Sequence, residues 1–283
     1  MLRPDVRDPG DLREPVLVAA FDGWVDAGSA ASLVLASLSE DDVPVATFDP
    51  DELYDYRSRR PTLEIVDGRL AELTWPELTL RRSRLERRDL LLLSGHEPDG
   101  RWRTLARVVV ELVRDLGVVE WVSLGAIPAA VPHTRPVPIL GTTSAPGLLR
   151  AGVEPGPAGV LRVPAAAISV LEMAVAEAGI PAVGYFAQIP HYVSGPYPAA
   201  AVELLRSLGA HLGEDLPLGD LAEASRQLRT RLDTATALDE TSRQYVERLE
   251  AMADESRLPS GDDLIADIER FLRERDGGER DPG

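Results

Sequence analysis

"EPVLVAAFDGWVDAGSAASLVLASL", residues 14–38, decides the fold. Val16 to Phe21 is a continuous Val-rich apolar run, the pattern of a strand buried on both faces. Farther on, Ala31, Val34, Leu35 and Leu38 recur at helical spacing. Between the two runs, Asp22, Gly23, Asp26 and Gly28 bracket Trp24. A buried strand that turns at once into a helix opens an α/β unit with a parallel sheet.

The same alternation continues along the chain. "VPVATF" (43–48), "DLLLLSG" (89–95), "VVEWVSLGA" (118–126), "VPILGTTS" (137–144) and "PAVGYFAQI" (181–189) read as strands. Helices are predicted where Leu105, Val108, Val109, Leu112 and Leu116 share a face, and across 164–179 and 196–213. "LEIVDGRLAELTW" (63–75) alternates around Asp67-Gly68, a hairpin signal, and "LTLRRSRL" (78–85) reads as its continuation. The fold class is therefore α/β: a three-layer α/β/α core with a mostly parallel sheet and an antiparallel hairpin insert. After Gly213 the pattern becomes purely helical. Asp220 with Glu223, and Ser260 with Asp263, have capping-box spacing. The predicted organisation is an α/β core over 1–215 and a C-terminal helical extension over 216–283, packed on the core and frayed at its last residues.

Composition excludes several function classes. The 283 residues carry a net charge of −17, and the last 71 hold 19 acids against 10 arginines. So acidic a surface argues against nucleic-acid binding, which draws its affinity from cationic neutralisation of phosphates. No apolar stretch approaches the ~20 residues of a membrane helix. The mixed charges of residues 1–15 are unlike a signal peptide, so a cytoplasmic protein is expected. With no cysteine and no lysine in the chain, thiol chemistry, a P-loop lysine and a Schiff base are out of reach. There is no GxGxxG and no GxSxG. His96-Glu97 begins like a zincin motif, but Gly100 stands where its second histidine belongs. No cofactor and no metal site is expected.

In an open parallel sheet, ligands sit beyond the carboxyl ends of the strands. Four segments belong there: 21–28, 94–102, 126–136 and 188–198. They supply the candidate crevice residues Asp22, Trp24, Asp26, His96, Glu97, His133, Arg135 and His191. Each has a structural role open to it as well. Asp26, and Asp99 beside it in kind, fit helix capping. Trp24 fits a lid over core or a stacking platform. His133 and Arg135, between prolines, fit an anion site or a tie between loops.

Taken in order, "FDGWVDAGSAA", "LLLLSGHEPDGRW", "VPHTRPVPILGTTS", "IPHYVSGPYPAAAVELL" and "SGDDLIADIERFLRER" resemble the actinobacterial branch of the PAC2 (proteasome assembly chaperone 2) family. The absence of lysine and asparagine agrees with a GC-rich source. The resemblance implies a core like that of nucleoside phosphorylases without their active-site residues, a homo-oligomer, and proteasome subunits as partners. It transfers no catalytic residue. Archaeal relatives dock through a C-terminal hydrophobic–Tyr–any-residue tail, and this sequence ends Arg280-Asp281-Pro282-Gly283, so docking by that route is not expected. The expected function is that of a non-catalytic oligomeric interaction protein. The alternative is a small-molecule binder, or a hydrolase- or phosphorylase-like enzyme, working at the crevice.

Overall fold

The computed structural model describes residues 2–39, 43–150, 152–157 and 159–255. The predicted helix that begins at Ser260 lies outside the described residues. In chain order the strands are β1 (Asp5–Val6), β2 (Val16–Asp22), β3 (Ala46–Thr47), β4 (Thr62–Val66), β5 (Arg69–Thr74), β6 (Leu78–Arg84), β7 (Asp89–His96), β8 (Glu120–Ala129), β9 (Ile139–Thr143) and β10 (Ala182–Pro190). The helices are α1 (Ala30–Leu38), α2 (Pro50–Leu53), α3 (Trp102–Asp115), α4 (Ala167–Glu177), α5 (Pro198–Leu212), α6 (Leu221–Leu238) and α7 (Glu240–Glu255).

Eight strands form one sheet in the order β1-β3-β6-β7-β2-β8-β10-β9. Its centre, β7-β2-β8-β10, is parallel, and antiparallel strands flank it on both sides. The period-2 geometry of a strand deals successive side chains to opposite faces. Leu17, Ala19 and Phe21 enter a core with Leu91, Leu93, Leu105, Val109 and Leu171, beneath α3 and α4. Val16, Val18 and Ala20 enter a second core with Val34, Leu35, Leu204 and Leu208, beneath α1 and α5. Two cores on one sheet are what make three layers, and they explain why β2 is apolar without interruption.

Two local expectations need correction. The strand over 78–84 does not extend the hairpin. It pairs antiparallel with β7 and β3 in the main sheet, while β4 and β5 stand apart as a two-stranded sheet. The reason is burial. Beside β7, Leu78 and Leu80 are buried and Arg82 finds the buried Asp89 carboxylate at 2.9 Å, whereas every residue of β4 and β5 is exposed. The Asp220–Glu223 capping box does not form either. Asp220 has helical backbone angles (φ −73°, ψ −11°) and its side chain caps nothing. Glu223 binds Arg226 and Gln227 instead.

α6 lies along α5, and Leu221, Leu228 and Leu232 pack against the second core. Thus α6 closes over the α5 side of the molecule.

The β6–β7 pair tolerates no side chain at Gly95. There φ is +145°, and a Cβ would overlap the Glu77 carbonyl oxygen. Gly95→Ala is expected to lower stability by more than about 2 kcal/mol, read as a fall in the urea unfolding midpoint.

Candidate functional site

The turn that follows β2 is built by one carboxylate. Asp26 Oδ1 accepts the Ala31 amide at 2.8 Å, and Oδ2 binds the Ser32 hydroxyl. Asp26 is buried, and burial raises its pKa against the opposing pull of Ser32 and the amides. It thus satisfies free N–H groups in the first turn of α1. Asp99, expected to do the same for α3, does not. Its Oδ2 accepts the Asp55 amide at 2.9 Å, and no side chain caps α3 at Arg101. The loop after α2 reaches that carboxylate first, because the Asp99 amide is already bonded to the Leu53 carbonyl.

Glu97 is the hinge pin of this edge. Its Oε2 accepts the Trp24 amide at 3.0 Å, and its Oε1 accepts the Ala167 amide at 2.8 Å. The second bond caps α4 from a residue 70 positions away. It also explains why that helix starts at Ala167 rather than at Pro164. Gly23 lets Glu97 approach so closely: a Cβ there would stand 2.6 Å from the Glu97 Cβ. Beside it, Asp22 Oδ2 and Arg59 Nη1 each lie 3.0 Å from His96 Nδ1. Trp24 is 66% exposed and covers no core.

The remaining candidates belong to a second group, under the helical extension. The His133 amide donates to the Tyr192 hydroxyl at 2.8 Å, and that hydroxyl stands 2.7 Å from His133 Nδ1. A phenol that accepts from the amide and donates to Nδ1 leaves the imidazole proton on Nε2. Nε2 is buried without a well-formed hydrogen bond, and the Asp233 carboxylate of α6 stands 3.3 Å away. Burial, reinforced by the Arg229 charge, lowers the His133 pKa. Arg135 grips Asp254 of α7 through Nε (2.9 Å) and Nη2 (2.8 Å), and Glu250 through Nη1 (3.1 Å). His191 Nδ1 meets the Ala129 carbonyl at 3.0 Å, and its Nε2 meets the Tyr245 hydroxyl of α7 at 3.1 Å.

Asp22, Trp24, Asp26, His96 and Glu97 therefore knit the strand-to-helix turns together, while His133, Arg135 and His191 fasten α6 and α7 to the sheet edge. His133 and Arg135 also open on a cavity of about 490 Å³ between α5 and α6, which the first group does not line. Among the described residues, no three His, Asp or Glu side chains converge as metal ligands. No described helix is long and apolar enough to cross a membrane. Sequence reasoning passed over one buried cluster at the opposite edge of the sheet. His211, in the last turn of α5, meets the Tyr185 hydroxyl at 2.8 Å and the Glu120 carboxylate at 3.1 Å. Only its chain position, in the last turn of an apolar helix, hinted at a buried histidine.

These turns and their order along the chain match a known pattern. The PAC2 family profile covers residues 20–236. The chain belongs to the PAC2 family. The matched span runs past the strands and through most of α6. No curated protein matches the chain. Among solved structures it is similar to the Mycobacterium tuberculosis protein of unknown function Rv2714, with 35% identity over 89% of this chain and 91% of that one (TM-score 0.82). It is similar to the proteasome-assembly chaperone homologue Rv2125 of the same organism, with 36% identity over 82% and 99% of the two chains (TM-score 0.75). A PAC2 family protein from Streptomyces avermitilis shares 38% identity over 82% and 99% (TM-score 0.70).

Replacing Glu97 by Ala strands the Ala167 amide at the start of α4 and is expected to cost about 1–3 kcal/mol. Glu97→Gln keeps one acceptor. Amide hydrogen exchange then accelerates at Trp24 or Ala167 rather than at both. Arg135→Ala is expected to speed exchange across α7 at least ten-fold while the amides of β2, β7 and β8 stay protected, because the polar contacts it removes lie at the edge and not in either core.

Proposed function

We propose that this PAC2 protein is a non-catalytic interaction protein that works as a cytoplasmic homo-oligomer and binds proteasome subunits, in the manner of an assembly chaperone. The observation that carries the reading is the isolated β4–β5 hairpin. Its register pairs Leu63 with Leu73 and Ile65 with Leu70 across one face, and these four side chains are 45–73% exposed. A lone two-stranded sheet is marginal in water, and a contiguous exposed apolar face marks an interaction surface. A second copy of the chain is the occupant we favour, since a two-fold axis lays this apolar patch of one copy on the same patch of the other.

The candidate site supports this reading from the other side. A group that works as acid or base must be free to meet a substrate. Asp26 and Glu97 are bonded instead to backbone amides, and Arg135 to two carboxylates of α7. The likeness to Rv2125, described as a proteasome-assembly chaperone homologue, supplies the class of partner. In this reading, residues 1–215 form the interacting core and the helices from 216 onward form an extension docked upon it.

Size-exclusion chromatography with light scattering tests both parts. The protein alone is expected to run as a homo-oligomer. Leu63→Glu with Leu73→Glu is expected to reduce it to a monomer with an unchanged circular dichroism spectrum. Mixed with 20S α-subunits from its own source, the wild type is expected to form a stable mixed species. A monomeric wild type defeats the oligomer, and an oligomer that ignores α-subunits defeats the chaperone role.

A further inference from the structure

The cavity between α5 and α6 has an unusual lining for so acidic a chain. Arg135, Arg206, Arg226 and Arg229 surround it with the buried His133, and among the described residues Glu203 is the one acid that lines it. The chain as a whole carries −17. Glu203 pairs with Arg206 inside the lining, and the acids that balance the other three arginines, Glu223, Asp233, Glu250 and Asp254, stand outside it. The floor is apolar, built from Val137, Val202, Leu228 and Leu232. Its volume, about 490 Å³, falls within the ~300–1,000 Å³ of small-molecule pockets.

A second observation is independent of charge. His133 is 4% exposed and lines this cavity, yet its Nε2 makes no well-formed hydrogen bond. With the Tyr192 hydroxyl donating to Nδ1, the neutral imidazole carries its proton on Nε2. Its nearest acceptor is the Asp233 carboxylate, 3.3 Å away and poorly aligned, so a ligand oxygen in the cavity offers this buried donor a better bond.

The geometry points to a binding site for a small organic anion in the α5–α6 cavity, with the arginines holding a phosphate, sulfonate or carboxylate group and the leucine and valine floor holding an apolar body. Guanidinium groups match such oxyanions with paired N–H donors. Arg206 and Arg226 are the accessible ones, each paired among the described residues with a glutamate three residues away on its own helix, at 3.3 and 2.5 Å. Exposed pairs of this kind exchange readily for a better anion. Arg229 is anchored to the His133 carbonyl at 2.8 Å and lies deeper, positioning the floor of α6. The site goes beyond the interaction role proposed above and does not depend on it.

The probe is 8-anilinonaphthalene-1-sulfonate, an organic anion with an apolar body, titrated into the full chain by fluorescence, with inorganic phosphate as competitor. Saturable binding displaced by phosphate is expected. Arg206→Gln with Arg226→Gln is expected to weaken it at least ten-fold, as is Ser225→Glu, which sets a carboxylate in the lining. The control, Arg103→Gln with Arg107→Gln, alters the groove between α3 and α4 and is expected to leave binding unchanged. These surface positions leave both cores intact, so melting temperatures identify any variant that fails to fold. Titrations without saturation overturn the proposal. So does a probe affinity that Arg206→Gln with Arg226→Gln and Ser225→Glu leave unchanged, or that the control weakens equally. The oligomer is read separately by light scattering, so failure here leaves that reading standing.

Discussion

Burying β2 on both faces is the constraint from which the rest of the molecule follows. Its six residues from Val16 to Phe21 are almost wholly shielded from water. A strand so placed forms no edge and carries a polar side chain only where a hydrogen bond satisfies it. Polarity must begin at the residue where the strand leaves the sheet, and Asp22 is that residue. Beside β2, the parallel strands β7 and β8 are also largely buried, and their buried polar groups, Asp89 and Ser123, are paired with Arg82 and the Trp121 indole. The carboxyl edge of the sheet therefore gathers acids, histidines and amides from several loops at once.

What those groups do there is chiefly hold backbone in place. Asp26 serves the first turn of α1, and Glu97 serves both the β2 turn and the start of α4. A single glutamate thus couples three segments that are far apart in sequence. On the other side of the edge, polar contacts fasten α7, from Arg135 to Asp254 and from His191 to Tyr245, while Val246 and Leu249 are its buried apolar residues. The α5–α6 contact is strongly apolar, through Leu221, Leu228 and Leu232. The extension is consequently joined to the molecule by one greasy seam and one charged seam, and salt or substitution at the charged seam bears on α7 before it reaches either core.

The distribution of surface character separates the possible roles. Acidic residues dominate the chain, the β4–β5 hairpin offers leucines and an isoleucine to solvent, and the α5–α6 cavity collects arginines. An apolar face suits a protein partner, and a basic cavity with an apolar floor suits a small anion. The two features lie on different elements, so one molecule can accommodate both.

Local pattern alone determined the three-layer α/β/α fold and the hairpin at Asp67-Gly68 and offered Asp26 as a cap, because each depends on residues within a few positions of one another. Buried strands and amphipathic helices write their environment into local spacing. Tertiary structure alone decided that β6 joins the main sheet, that Glu97 rather than a local residue caps α4, and that Asp99 bonds to the Asp55 amide. It also divided the eight candidate residues between a backbone-holding group and a helix-fastening group. The sequence placed all of them at one edge, since that follows from strand direction. It could not pair them, since pairing is settled by which atoms from distant loops arrive within 3 Å, and no local pattern encodes that distance.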